Sequence, residues 1–143
     1  MSNDLQEQFL RFIKDFNDMN DSKLEKKVRD DAEKDLSKVL DDHVLIVGID
    51  RPRKHTYKGV PKVVEFMKES GGHFDPLDPS FFRVVGQNGY VMGIGKWSDK
   101  GGDVNAPILI SFIFVNRDAD NPNWKAMRLW GSHPLGEVKD VDP

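Results

Sequence analysis

Cysteine is absent from this chain of 143 residues. Its absence excludes thiol nucleophiles, disulfide frameworks, and the zinc and iron–sulfur sites that need thiolate ligands. A chain of this length buries roughly two-thirds of its unfolded surface when it folds, so it needs neither a metal nor a disulfide for stability. The sequence therefore predicts one globular domain with a single hydrophobic core.

The chain also has no apolar run long enough to cross a bilayer, and its start, Met1 to Asp4, lacks the basic region and apolar stretch of a signal peptide. Positive charge is in slight deficit, since the formal net charge is -3. Nucleic acids and anionic membranes both require a positive surface. We therefore expect a cytoplasmic protein that binds neither of them.

Motifs for metals and nucleotides are missing as well. The four histidines form no His-x-His or His-x-x-x-His pair, and no carboxylate stands near enough to complete a metal triad. Gly93-Ile94-Gly95 lacks the third glycine and the following helix of a dinucleotide site. The sequence predicts no metal and no cofactor.

Three helices are indicated in the first half of the chain. Apolar residues at steps of three and four predict an amphipathic helix from Leu5 to Met19. A second helix is predicted to begin at Asp21 or Ser22 and to end at Leu40. A third, short helix is predicted from Pro61 to Lys68, because proline is tolerated in a first turn and Ser70-Gly71-Gly72 stops it.

The strands follow mainly in the second half. Apolar and alternating runs predict strands over His43–Ile49, Phe81–Gly86, Tyr90–Trp97, Ile108–Val115 and Trp124–Ser132. The segment His73–Pro79 is predicted to be an ordered loop because acids and prolines crowd it. Gln87-Asn88-Gly89 is predicted to be a hairpin turn. Helices followed by antiparallel strands predict an α+β fold, with the helices on one face of a curved antiparallel sheet.

The strand from Tyr90 has two apolar alternations, and one of them would place Lys96 in the interior. We therefore predict that Val91, Gly93, Gly95 and Trp97 face the helices. The two glycines either permit close approach of a ligand or allow a bulge, and the sequence leaves both readings open.

This order of elements resembles the nuclear transport factor 2-like superfamily, and within it the SnoaL-like and ketosteroid isomerase-like branch. The residues that carry the resemblance are Tyr57-Lys58-Gly59 before the third helix, Val63-Val64-Glu65-Phe66 inside it, and the final strand Trp124–Trp130. The resemblance covers about residues 5 to 134. It implies one such domain over residues 1–134. Residues 135–143 are polar and aperiodic, so the sequence predicts a loose C-terminal tail there.

The resemblance implies a cone-shaped fold of the cystatin-like α+β roll type, in which the strongly bent sheet leaves an apolar pocket. It also implies a small-molecule-binding protein, whose enzymatic form would be a cofactor-free lyase, isomerase or cyclase that acts on an apolar cyclic substrate by acid–base chemistry. The alternative is a non-enzymatic dimerisation or interaction module with a vestigial pocket. Either form is expected to dimerise through its sheet, using outward residues such as Ile113 and Val115.

Tyr57, Asp99 and His133 are the candidate catalytic residues. By the resemblance, Tyr57 lies near the cone mouth, although an aromatic plug is the alternative. Relatives often carry an acid after the aromatic residue of the last strand, whereas this chain has Trp130-Gly131-Ser132-His133. Histidine can replace the acid because its unperturbed pKa is already near neutrality.

Four further residues are candidates for ligand binding: Arg83, Trp97, Phe112 and Trp130. Arg83 interrupts an apolar run, so it either holds an anionic group or faces solvent. The aromatic residues would form an apolar floor, although aromatic residues in strands also serve simply as core.

Overall fold

The structure is a computed structural model that describes residues 2–47, 56–98, 106–118 and 120–132. The elements, in chain order, are α1 (Ser2–Met19), α2 (Lys26–Val39), β1 (Leu40–Val47), β2 (Thr56–Lys58), α3 (Val60–Ser70), β3 (His73–Val85), β4 (Asn88–Ser98), β5 (Ala106–Asn116) and β6 (Trp124–Ser132). The expected tail, residues 135–143, lies outside the described residues. None of the described helices is long and apolar enough to cross a membrane.

The helices pack on one strongly curled sheet with the strand order β2-β1-β6-β5-β4-β3. Neighbouring strands are antiparallel except β1 and β6, which pair in parallel with Ile46 opposite Leu129. The α+β class is confirmed, but the sheet is mixed, so the expectation of a wholly antiparallel sheet was wrong at this pair. β1 and β6 are distant in the sequence, and local patterns of alternation carry no information on such a pairing.

β3 begins at His73, so the prediction of a loop over His73–Pro79 was wrong. The strand tolerates its prolines because it is at the edge of the sheet and pairs with a neighbour on one side only, so a proline without an N–H can face the unpaired side. Its register with β4 shifts between Phe74 and Leu77 and again between Pro79 and Phe81, as at a β-bulge.

α2 begins four or five residues later than expected, at Lys26. Asp21 does not cap the helix, because its carboxylate accepts a hydrogen bond from the N–H of Lys23 at 2.9 Å and its carbonyl accepts one from Leu24 at 3.1 Å. The acid therefore stabilises a turn of its own, which is the usual alternative to capping. Val28, an apolar residue in the first turn of α2, is 43% exposed.

The hairpin between β3 and β4 turns at Gly86-Gln87, between the paired residues Val85 and Asn88. Gly86 has a φ of 60°, and a positive φ at only the first turn residue is the pattern of a type II′ turn. The predicted turn thus began one residue late and ended two residues late. Gly89 is instead needed inside the strand, where an added Cβ would lie 2.8 Å from the side chain of Leu5.

The core lies between α1 and the concave face of the sheet. Phe9 and Phe12 of α1 contact Phe112 of β5 edge-to-face, with ring centroids 5.4 and 4.8 Å apart. Val91 of β4 is buried in the same cluster, whereas Ile94 is 52% exposed. The predicted alternation of β4 is confirmed.

Two carboxylates are buried among the described residues. That of Asp41 accepts two hydrogen bonds from the guanidinium of Arg117, at 2.9 and 3.1 Å, and one from the N–H of His43. These hydrogen bonds, with that of Arg117 foremost, hold the pKa of Asp41 below its ordinary value. This pair ties the start of β1 to the connection between β5 and β6.

The carboxylate of Asp15 on α1 has no such partner. The residue is 6% exposed, and its Oδ2 atom has no hydrogen bond among the described residues. Burial, helped by the negative charge of Asp35 on α2, raises the pKa of Asp15 to about 6, although Arg11 and Lys14 oppose the shift. A carboxylate in this position costs stability whenever it is ionised.

Asp15 should therefore make stability depend on pH. The pKa is about 6 in the folded chain against 3.8 for the unperturbed group, so the stabilising contribution of the proton is complete below pH 3.8 and is lost as the pH rises through 6. Asp15→Asn should raise the free energy of unfolding at pH 8 by about 1–3 kcal/mol and flatten its fall between about pH 4 and 7, the range that spans the two pKa values. Urea unfolding at a series of pH values measures both effects.

Asp31→Asn, at an exposed position of α2, is the matched control and should leave the profile of the parent chain unchanged. An Asp15→Asn variant that is less stable than the parent at pH 8 would contradict this account of Asp15.

Candidate functional site

One end of the sheet gathers the ends of six strands. Val47 pairs with Thr56 and Trp130, Trp97 pairs with Ala106, and Ser98 pairs with His73. We call this the Trp97 end, defined by Val47, Thr56, His73, Ser98, Ala106 and Ser132. β1, β4 and β6 therefore finish at the end where β2, β3 and β5 begin.

A half-buried aromatic cluster lies at the Trp97 end. Trp97 packs against Phe74 of β3 and Phe16 of α1, with ring centroids 5.0 and 6.0 Å apart. Phe16 and Phe74 are themselves 5.0 Å apart. Phe16 is buried, whereas Trp97 and Phe74 keep part of their surface exposed. The cluster thus joins the core to the surface.

Two asparagines fix the frame of this cluster. Asn17 donates a hydrogen bond to the carbonyl of Phe74 and accepts one from its N–H, at 3.0 and 2.9 Å. Asn20 donates to the carbonyls of Met67 and Gly72 at 3.2 and 3.1 Å. Gly72 lies against the indole of Trp97, where there is no room for a Cβ atom. The position of Trp97 is therefore set by α1, by the end of α3 and by the start of β3.

Tyr57 lies on the concave side. Four paired residues form a row across the sheet: Tyr57 of β2, Ile46 of β1, Leu129 of β6 and Phe112 of β5. This inward row crosses four strands, and all four side chains contact the core cluster. The ring of Tyr57 stacks on Phe66 of α3 with a centroid distance of 4.6 Å and an interplanar angle of 26°. Tyr57 is half-buried, so its ring packs as a wall while part of it stays exposed.

The structure brings together three of the residues singled out in the sequence, because Tyr57, Trp97 and Phe112 all belong to the concave side. Phe112 is 4% exposed and packs between Phe9 and Phe12, so it serves as core beneath the half-buried residues. Asp99 and His133 lie outside the described residues. They directly follow Ser98 and Ser132, with which β4 and β6 finish at the Trp97 end.

Arg83 and Trp130 point the other way. Arg83 pairs with Tyr90 on the outer face of the sheet and is exposed. Trp130 pairs with Ser111 and is 40% exposed, whereas its neighbour Leu129 is buried opposite Phe112. Because successive residues of a strand face opposite sides, neither residue lies on the wall formed by Tyr57 and Phe112. Arg83 therefore takes the solvent-facing position that the sequence left open, and ligand binding by Arg83 or Trp130 stays a prediction.

Asp15 is the buried titratable residue that the sequence reasoning missed. A signal was available, because Asp15 follows Phe12 by three residues and precedes Met19 by four, which places it at the edge of the apolar stripe. Groups with a strongly shifted pKa are enriched at functional sites. The charged residues that shift the pKa of Asp15, however, lie on α1 and α2.

Within the described ranges, no group of three His, Asp or Glu side chains is placed to hold a metal ion. The chemistry that the described residues offer is an aromatic wall with a phenol hydroxyl.

No protein-family model and no curated protein matches the sequence. Solved structures match the fold over nearly the whole chain. A candidate dehydratase of the nuclear transport factor 2-like family from Streptomyces avermitilis is 15% identical, with a TM-score of 0.67, over 94% of this chain and 96% of that one. A nuclear transport factor 2-like protein with a cystatin-like fold from Novosphingobium aromaticivorans is 15% identical, with a TM-score of 0.67, over 95% and 83%.

A ketosteroid isomerase-like protein from Erwinia carotovora atroseptica is 14% identical, with a TM-score of 0.63, over 92% of this chain and 94% of that one. At such identities the likeness is one of fold. The chain therefore has the fold of the nuclear transport factor 2-like superfamily, as its order of elements predicted.

Proposed function

We propose that the chain binds an apolar cyclic small molecule at the Trp97 end and acts on it as a cofactor-free lyase, isomerase or cyclase. The observation that carries the proposal is the half-buried aromatic cluster. Trp97 and Phe74 pack on the core and yet keep exposed surface. Apolar surface of this kind, held on rigid elements, is what a ligand pocket offers.

The stack of Tyr57 on Phe66 supplies the second wall. It rests on β2 and α3, whereas the Trp97 cluster rests on α1, β3 and β4. A planar ring would gain stacking or edge-to-face contacts from either wall. The proposed ligand is therefore cyclic and largely apolar.

Polar chemistry would come from three side chains. In the proposal, the hydroxyl of Tyr57 donates a hydrogen bond to an oxygen of the substrate, while Asp99 and His133 carry the proton as general acid and base. Both titratable residues directly follow a strand that finishes at the Trp97 end. The names of the matched dehydratase and ketosteroid isomerase-like protein agree with a reaction of this class.

The aromatic wall can be tested with 2-naphthol as probe. Trp97→Leu should weaken its binding at least about fivefold, because an aromatic contact contributes about 1 kcal/mol beyond burial. Trp130→Leu is the matched control, since it removes the same side chain from the outer face. Isothermal titration calorimetry gives the dissociation constants. Equal weakening in the two variants, or none in Trp97→Leu, would refute the wall.

The hydroxyl of Tyr57 can be tested separately. Tyr57→Phe keeps the stack on Phe66 and removes only the hydrogen-bonding group. It should weaken 2-naphthol binding about threefold to tenfold, the value of one hydrogen bond, and leave naphthalene binding unchanged. A variant that loses both ligands equally would show that Tyr57 acts as an aromatic plug instead.

The outer face of the sheet supports a second candidate function, homodimerisation. Ile94 is 52% exposed, Phe81 44% and Trp130 40%, and they lie on β4, β3 and β6. On β5, between β4 and β6, lie the half-buried Leu109 and Ile113, so partly exposed apolar side chains extend across the strands. Patches of this kind mark interaction surfaces. Val115 was also expected here, but it is 7% exposed and so is covered by its own chain.

We infer that two copies of the chain pair through this face. Such a dimer is expected both for an enzyme and for a non-enzymatic interaction module. Ile94→Lys should lower the dimer fraction at a given concentration, since it places a charge in the apolar patch. Leu10→Lys, at a position of α1 that is 43% exposed, is the control. Sedimentation velocity measures the two species. A parent chain that is monomeric at high concentration would contradict the inference.

A further inference from the structure

We propose that the groove between α2 and α3 binds a basic, amphipathic segment of a partner protein. This proposal concerns the helical side of the molecule and does not rest on the function proposed for the Trp97 end. The groove has a cavity volume of about 620 Å³, within the range of sites that hold several side chains of a ligand.

The floor of the groove is apolar. Val60, Pro61 and Val64 of α3 form it, and Val60 and Val64 are packed against the hydrophobic core from below. Pro61 is exposed and lies in the first turn of α3, where its missing N–H leaves no helical hydrogen bond unmade. The floor is therefore a short apolar strip in which Pro61 is exposed, Val60 is half-buried and Val64 is buried beneath them.

The rim of the groove is acidic. Glu33 of α2 is bridged to Lys68 of α3 at 2.7 Å, so these two charges cancel and the bridge joins the two helices across the groove. Glu65 and Glu69 stand on the same face of α3, one turn apart, and both are exposed. In the described part of the chain, neither of them has a salt-bridge partner.

The occupant follows from these two features. An apolar strip between helices accepts the apolar face of a helix, which is a common mode of peptide recognition. Two unneutralised glutamates beside the strip favour lysine or arginine flanking that face, and they disfavour an acidic segment. An anionic lipid surface would be repelled by the same glutamates. A basic amphipathic helix satisfies both the floor and the rim.

The test uses a labelled synthetic peptide of leucine and lysine, about 14 residues long, with leucine at helical spacing on one face. Its binding is measured by fluorescence anisotropy at low and at physiological salt. The double variant Glu65→Gln plus Glu69→Gln keeps the shape of the rim and removes its charge. It should weaken binding about tenfold at low salt, from two partly exposed charge contacts.

The matched control is Glu7→Gln plus Asp31→Asn, which removes two exposed acidic charges outside the groove. It should weaken binding less than twofold. Equal losses in the two double variants would show attraction to the net charge of the chain and would overturn the proposal. The proposal would also be overturned if Ile94→Lys weakened peptide binding and Glu65→Gln plus Glu69→Gln did not, since that result places the peptide on the outer face of the sheet.

The floor is tested independently by Val60→Thr, which keeps the side-chain shape and adds a hydroxyl. It should weaken peptide binding at least about threefold, because the new hydroxyl must be desolvated when the peptide covers it. Circular dichroism at the assay temperature checks that the variant is folded. Unchanged affinity in this variant would overturn the apolar anchor.

Discussion

The packing of α1 into the concave face of the sheet is the contact on which the rest of the structure depends. Phe9, Phe12 and Phe16 form one ridge of this helix, and Phe112 of β5 fits between the first two. A curled sheet leaves a hollow that small side chains cannot fill. Three buried phenylalanines on one helix fill it, and at the Trp97 end Phe16 packs against the half-buried Phe74 and Trp97.

The hollow is thus closed at its centre and lined by aromatic residues at one end. At that end the asparagine hydrogen bonds to Phe74 and Gly72 hold α1 against β3 and the end of α3. Half-buried rings on a fixed frame are preorganised for a ligand, because binding would not need to order them. The same helix carries Asp15, whose burial destabilises the folded chain when its carboxylate is ionised.

Residues with local signals could be predicted from the sequence. The last strand has the predicted bounds, Trp124–Ser132, because an alternating run lies between a polar turn and the end of the apolar pattern. α3 ends near its glycines, with Gly71 as the C-cap. The inward set of β4 followed from the cost of burying Lys96.

Features set by distant contacts could not be predicted. The parallel pairing of β1 with β6 depends on where the chain returns, and the strand over His73–Pro79 is stabilised by its position at the sheet edge. The pair Asn88-Gly89 predicted a turn. What requires a glycine at position 89 is the side chain of Leu5, which is 84 positions away in the sequence and leaves no local signal. The outward direction of Trp130 follows from its register with Ser111, which no single strand reveals.

The central claim is that the Trp97 end of the concave face receives an apolar ring. The most direct measurement is a proton–nitrogen NMR titration of the parent chain with 2-naphthol, read at the indole N–H of its three tryptophans. Trp97, Trp124 and Trp130 report on the cluster, the opposite end of the sheet and its outer face. The account predicts a saturable shift at Trp97 while Trp124 and Trp130 stay in place. A shift at Trp130 with none at Trp97 would contradict it.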